Sequence, residues 1–171
     1  MPHVRFWRES DLPGLLQMAS ITAWEIMNPS DKAVARPEVV FANAQRNLIQ
    51  VLASPGGTAI VADEGGRPVG YLLIGLRPDD RTGEIQGYMA DIYIQPPFRG
   101  KGLAAEFHRI GEDYLRRLGI RRATNWTHAS NPLGRKASND KGFRLWGVMM
   151  EKLLQPATAI APQAQKMGLG V

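Results

Sequence analysis

The stretch Asp91-Ile92-Tyr93-Ile94-Gln95-Pro96-Pro97-Phe98-Arg99-Gly100-Lys101-Gly102-Leu103-Ala104-Ala105 decides how the rest of the chain is read. After the leading aspartate come β-branched and aromatic residues, the composition of a strand. Two prolines follow, and because proline has no N–H to give a ladder, the strand ends there. Beyond Gly102, the residues Leu103, Phe107, Ile110, Tyr114, Leu115 and Leu118 recur at three- and four-residue steps, one apolar face of a helix. A strand, a glycine-punctuated turn and a helix start together form an anion cradle. The glycines admit close approach to backbone N–H groups, and the first helical turn holds unpaired donors at the positive end of its dipole. Arg99 and Lys101 add positive charge. We read the turn as a diphosphate site, the alternative being a plain tight turn. The Gly-x-x-x-x-Gly-Lys-Ser/Thr spacing of a nucleoside-triphosphate loop is absent, as are the third glycine and downstream acid of the dinucleotide fingerprint.

A length of 171 residues suits one domain with a real core. The hydrophobic share of 44% and charged share of 22% are those of an ordinary globular domain. No apolar run is long enough to span a bilayer, and the first residues lack the basic-then-apolar plan of a secretory signal. A cytoplasmic location without a membrane partner is therefore expected. The sequence contains no cysteine, which excludes a disulfide framework, a thiolate metal site and a cysteine nucleophile. Three histidines without ligand spacing point to no metal. The net charge of +5 suits polyanions, from nucleic acid to phosphorylated coenzymes. Arg109, Arg116, Arg117, Arg121, Arg122, Arg135 and Lys136 are read as a solvated face or the wall around coenzyme phosphates, so nucleic acid is not the expected partner.

Outward from the opening stretch, Val4–Arg8 reads as a first strand, and Ser10 or Asp11 caps a helix with Leu12, Leu15, Leu16, Ala19 and Ile21 on its apolar side. The helix breaks at Asn28-Pro29, and a second runs from about Pro37 to Ser54. Residues 58–63 and 69–76 read as a hairpin, leading through a polar loop to the strand that ends at Ile94. After the long helix come a strand over 123–129, a short helix opened by Asn131-Pro132, and a final strand over 144–154. This order makes an α+β (mixed α/β) single domain over residues 1–154 around one central sheet, with 155–171 as a C-terminal tail rich in Ala, Pro, Gln and Gly.

Two motifs add a family likeness. The turn in register reads Arg99-x-x-Gly102-x-Ala104 and resembles the Arg/Gln-x-x-Gly-x-Gly/Ala signature of the GNAT acyltransferase superfamily. The stretch from Asn131 to Gly142-Phe143 resembles that superfamily's Asn-x-x-Ala-x-x-x-Tyr-x-x-x-Gly-Phe, with Gly134 for the alanine and Ser138 for the tyrosine. The resemblance runs from about residue 3 to residue 154. It implies a mostly antiparallel, twisted sheet with a V-shaped splay between two parallel strands, flanked by about four helices. It further implies acetyl-CoA as cosubstrate, lying in the splay. The backbone of Ile92, Tyr93 and Ile94 would pair with the pantetheine arm, and that of Arg99, Gly100, Lys101, Gly102, Leu103 and Ala104 would hold the diphosphate. Asn131 would reach the coenzyme from the far side.

The activity implied is transfer of an acetyl group to a primary amine of a small molecule, peptide or protein, by direct attack in a ternary complex. Homodimers are common in such a superfamily, so one is expected as a possibility. Many relatives place a glutamate base where this chain has Ala90, with Asp91 beside it; Asp91 and His128 are the candidate bases. The usual acid falls at Ser138, a poor proton donor, which leaves Tyr93 or Tyr88 as substitutes, or departure of the thiolate unaided. Trp24, Glu25 and Trp126 are candidates for the acceptor pocket, the glutamate for an ammonium and the aromatic faces for cation–π contact. The departure at Ser138 motivates a second reading, a non-catalytic acyl-CoA sensor, and the basic residues together with the resemblance leave a third, acetylation of an RNA-linked amine.

Overall fold

The sheet's middle strands, β2 (Thr58–Glu64) and β3 (Arg67–Pro78), are apolar on both faces because helices cover both sides. A computed structural model describes residues 1–129, 131–147 and 149. With β1 (His3–Phe6), β4 (Ile85–Ile94) and β5 (Ala123–Asn125) they form one five-stranded sheet in the order β1-β2-β3-β4-β5. The first three pairings are antiparallel and the last is parallel. A parallel neighbour needs a crossover, and α4 (Leu103–Arg117) supplies it between β4 and β5. The others are α1 (Leu12–Ile26), α2 (Pro29–Val34), α3 (Pro37–Ala53) and α5 (Pro132–Asp140).

Alternation along the strands splits the core in two. One face carries Ala59, Val61, Tyr71, Leu73 and Tyr93, packed with Leu15, Met18 and Ala19 of α1 and Leu48 of α3. The other carries Ile60, Ala62, Leu72, Ile74 and Met89 against Leu103, Phe107 and Leu115 of α4. A β-carbon at Gly87 would lie 2.5 Å from Leu115 Cδ1, so the missing side chain lets α4 close over the parallel pair.

The expected elements appear with local differences. Asp11 does not cap α1. Its carboxylate accepts from the Arg8 N–H and takes a two-pronged bond from Arg5, at 2.7 and 2.9 Å. A full positive charge is the stronger partner, and a short 3₁₀ turn over Glu9–Asp11 starts the helix instead. Met18, rather than Ile21, joins the core. The break at Asn28-Pro29 opens the short helix α2, with Asn28 Oδ1 accepting from the Asp31 N–H at 2.8 Å. Strand β5 stops at Asn125 rather than Ala129. Residues 144–147 and 149 carry no strand, with Leu145 and Met149 exposed. The rest of the expected 144–154 strand and the tail over 155–171 lie outside the described residues.

Arg5 also binds Asp63 of β2, at 2.5 Å from Nη2 and 3.2 Å from Nε, so one guanidinium ties β1, β2 and the start of α1. It holds both carboxyls below the usual carboxylate range. Their stabilisation is complete above about pH 4 and is lost as the pH falls below that value. Replacing Arg5→Ala leaves two poorly solvated carboxylates unpaired and should cost about 3 kcal/mol in urea unfolding at pH 7. The deficit should shrink in acid.

Candidate active site

The ladder between β4 and β5 covers three residue pairs, Gly87–Ala123, Tyr88–Thr124 and Met89–Asn125. Strand β4 then runs on from Ala90 to Ile94 with β3 alone beside it. The segment after Asn125 is drawn elsewhere by its side chains. Asn125 Nδ2 donates to Ser138 Oγ on α5 at 2.9 Å. The Trp126 ring meets His128 edge-on at 5.9 Å, and His128 Nε2 lies 3.4 Å from Asn28 Nδ2 at the α1–α2 corner. The parallel strands therefore part beyond Met89, and the resulting gap is the splay expected from the sequence.

At the head of the gap the chain enters the turn before α4. Gly100 and Gly102 both take left-handed backbone, with φ of 74° and 84°, which other residues adopt only at a cost. Neither has any atom within 4 Å of the place a β-carbon would take, so the turn is open to a ligand. The Arg99 N–H bonds Pro96 and those of Ala105 and Glu106 bond Gly102, whereas the N–H groups from Gly100 to Ala104 have no backbone partner among the described residues. Open donors at the start of a long helix are suited to an anion.

The side chain of Arg99 does not point into this cradle, contrary to the sequence reading. Its Nε donates to the Ile94 carbonyl at 2.7 Å, its Nη2 pairs with Glu25 at 3.2 Å, and its guanidinium lies 5.4 Å from the Tyr93 ring centre. The carbonyl at the strand end and the glutamate of α1 together outcompete solvent for the charge. Glu25 is thereby engaged at the mouth of the gap. Lys101 Nζ sits over the Phe98 ring at 5.6 Å.

The sequence left open which face Asp91 takes. Leu73 pairs with Asp91 but Ile74 pairs with Met89, so Ala90 is an extra residue, a β-bulge. The bulge puts Ala90 and Asp91 together on the face covered by α1, where Ala90 packs against the core. Asp91 is half-buried and accepts a short hydrogen bond from the Tyr71 hydroxyl. Burial pushes its carboxyl up to about 6, against the opposing pull of hydrogen bonds from Tyr71 and the Ile92 backbone. Burial and the neighbouring carboxylate push the Tyr71 phenol far above its ordinary value, so it stays protonated as a donor. Sequence reasoning missed Tyr71. The available signal was a hydroxyl-bearing ring inside the aliphatic run Val69-Gly-Tyr-Leu-Leu-Ile74.

The other residues singled out by the sequence take varied places. Ser138 is not presented as an acid: its hydroxyl donates to the Gly134 carbonyl at 3.0 Å and accepts from Asn125, which binds α5 to β5. Asn131 Oδ1 caps α5 on the Gly134 N–H at 2.8 Å. A β-carbon at Gly134 would stand 2.6 Å from Asn131 Nδ2 and 2.7 Å from Thr127 Oγ1, so a side chain there would displace the capping Asn131. Phe143 packs edge-on to His108 of α4 at 5.8 Å, anchoring the end of α5. Tyr93 is buried in the α1-side core. Tyr88 lies in the fully paired part of β4 under the Arg77 guanidinium. Trp24 is half-buried, with the Phe41 ring edge-on at 6.1 Å and Lys32 Nζ 5.8 Å from its ring centre. Trp126 is 56% exposed on the far wall. Among the described residues no cluster of three His, Asp or Glu is placed to hold a metal, and no helix is long and apolar enough to cross a membrane.

Residues 21–136 match the Acetyltransferase (GNAT) family. No curated protein matches the sequence. Among solved structures, an integron cassette protein from the mobile metagenome of Cole Harbour Salt Marsh is 26% identical, with a TM-score of 0.64 over 90% of this chain and 91% of that one. A putative acetyl transferase from Pyrococcus furiosus is 16% identical, with a TM-score of 0.77 over 90% of this chain and 100% of the other. A predicted acetyltransferase from Clostridium acetobutylicum, solved with acetyl-CoA, is 17% identical, with a TM-score of 0.71 over 90% and 96% of the two chains.

An Asp91 carboxyl raised by burial works against folding once it ionises. Its folded form binds a proton more tightly than the unfolded chain, so stability falls as pH rises from about 4 to about 6 and stays lowered above. Asp91→Asn should therefore be more stable than the parent at pH 8, by about 2 kcal/mol, and nearly equal to it at pH 4. Urea unfolding at the two pH values checks this.

Proposed function

The chain belongs to the Acetyltransferase (GNAT) family, and on that footing we propose that it is an acetyl-CoA-dependent N-acetyltransferase acting on a primary amine of a small molecule, peptide or protein. The observation that carries this reading is the continuity of the gap with the cradle: β4 outruns β5 by five residues, Ala90 to Ile94, and leads into the open N–H groups of the turn before α4. The shape fits a long cosubstrate with an extended arm and a diphosphate. The N–H groups from Gly100 to Ala104 hold the diphosphate, and Ile92, 37% exposed on the edge of the gap, gives the arm an apolar wall. The backbone of Ile92 to Ile94 lines the arm's path, with Arg99 yielding the Ile94 carbonyl as the arm enters.

The cosubstrate supplies an acetyl thioester carbon to be attacked and a thiolate to leave. Everything else falls to the chain. Asp91, ionised above about pH 6, takes a proton from the acceptor ammonium, so that the neutral amine is the nucleophile. Asp91 passes that first proton to solvent; as the C–N bond forms and the C–S bond breaks, the nitrogen's second proton moves to Asp91 and from there to the departing thiolate, whose basicity exceeds that of the carboxylate. No phenol at the Ser138 position is required by this balance. Glu25, paired with Arg99 at the mouth, meets a cationic acceptor as Arg99 is displaced.

Acetyl-CoA mixed with a panel of amines, polyamines, amino acids and short peptides tests the reading. Because the sequence has no cysteine, a thiol-reactive dye reports only released coenzyme. Release that depends on one acceptor class is the expected result, and release with none of them speaks for the sensor alternative if acetyl-CoA still binds. Gly102→Val tests the cradle. Its left-handed backbone costs a β-branched residue about 1–2 kcal/mol, and the added methyls stand where the diphosphate lies. Acetyl-CoA affinity should fall more than about tenfold by calorimetry, a loss of over 1.4 kcal/mol, with the unfolding transition retained.

A further inference from the structure

Resting on the acetyltransferase reading, we propose that Tyr71 is a positioning residue for the reaction: from the floor of the core it holds the Asp91 carboxylate at the gap in one orientation and favours its ionised form. Tyr71 is fully buried among Leu15, Met18, Val61, Leu73 and Tyr93. A phenylalanine would fill that space as well, and a hydroxyl placed there is costly unless it is bonded. The hydroxyl is used on Asp91, its diagonal neighbour across the β3–β4 pair. Asp91 lies opposite Leu73 and alternates with Ile92 and Tyr93, which keeps it on the Tyr71 face, and the bulge at Ala90 resets the alternation just before it.

The groups around this pair come from three elements. From β3 there is Tyr71 itself; from β4, the Ile92 N–H on the carboxylate and Tyr93 beside Tyr71; from α1, the Thr22 hydroxyl, which reaches Tyr71 and donates to the Met18 carbonyl at 2.9 Å. No Lys, Arg or His acts on the Asp91 carboxylate among the described residues. The Tyr71 hydroxyl is therefore the side-chain donor that counters the cost of keeping that charge half-buried. Being fully buried, it touches no substrate and exchanges no proton in the reaction.

The test is Tyr71→Phe in the full chain, read in two ways. Carbon-13 NMR of aspartate carboxyls, with the Asp91 signal assigned by its absence in Asp91→Asn, should show the midpoint moving up by about one pH unit from the parent's value when the hydroxyl is lost. The acid limb of kcat/KM should move up with it, lowering kcat/KM several-fold at pH 6.5 while KM for acetyl-CoA is unchanged. An unmoved midpoint, or a shifted midpoint with an unmoved limb, would overturn the role of Tyr71. The NMR arm needs no turnover. A shifted midpoint in a protein with no amine-dependent thiol release would instead overturn the acetyltransferase reading beneath it.

Discussion

The site depends on the ladder between β4 and β5 ending at Met89 and Asn125. Backbone N–H and C=O groups inside a sheet are normally paired on both edges, so a strand that keeps one edge open must be compensated. Here the compensation is local. Arg99 bonds the Ile94 carbonyl, the Ile92 N–H meets the Asp91 side chain, and the segment beyond β5 finds its own partners on α5 and at the α1–α2 corner. The gap is thus a stable feature built from side chains of three different helices and loops. It does not rely on weak strand pairing.

Electrostatics then sort the charges on either side of it. At Arg5, two carboxylates share one guanidinium and are held in their charged form, which strengthens the fold. At Asp91, among the described residues, the partners are the Tyr71 hydroxyl and a backbone N–H with no cation, and burial raises the proton affinity of the carboxyl. The same residue type serves as structural glue in one place and, on the proposed reading, as a proton acceptor in the other, and the difference is the partner. Stability is given up at the second site for a group that can change charge near neutral pH.

Much of this was legible from residue order. The strand to Ile94, the glycine turn and the periodic helix from Leu103 are strong local signals, and the structure has them where the sequence reading placed them. What could not be read were matters decided by distant parts of the chain. The end of β5 is set by Asn125 bonding Ser138, and the direction of Arg99 by Glu25, more than seventy residues away. The alternation along β4 resets at Ala90, a bulge whose position depends on the β3 partner. Alternation predicts the face of a strand residue only while the register is regular. The reading of Ser138 as a weakened acid missed that its hydroxyl is taken up in holding α5 to β5.

The strand order of the sheet follows the order of the chain, and this bears on how the molecule comes to fold. Strands β2, β3 and β4 form a meander of near neighbours, contacts that close early because the loops between them are short. The parallel pairing of β4 with β5 must wait for α4 to form and pack, and it is then only three residue pairs long. The cleft thus lies beside the shortest pairing of the sheet, reached only through a crossover helix. On the proposed reading, a cosubstrate that bridges its two walls adds its binding energy to that short pairing, and so acts as an element of the fold as well as a reactant.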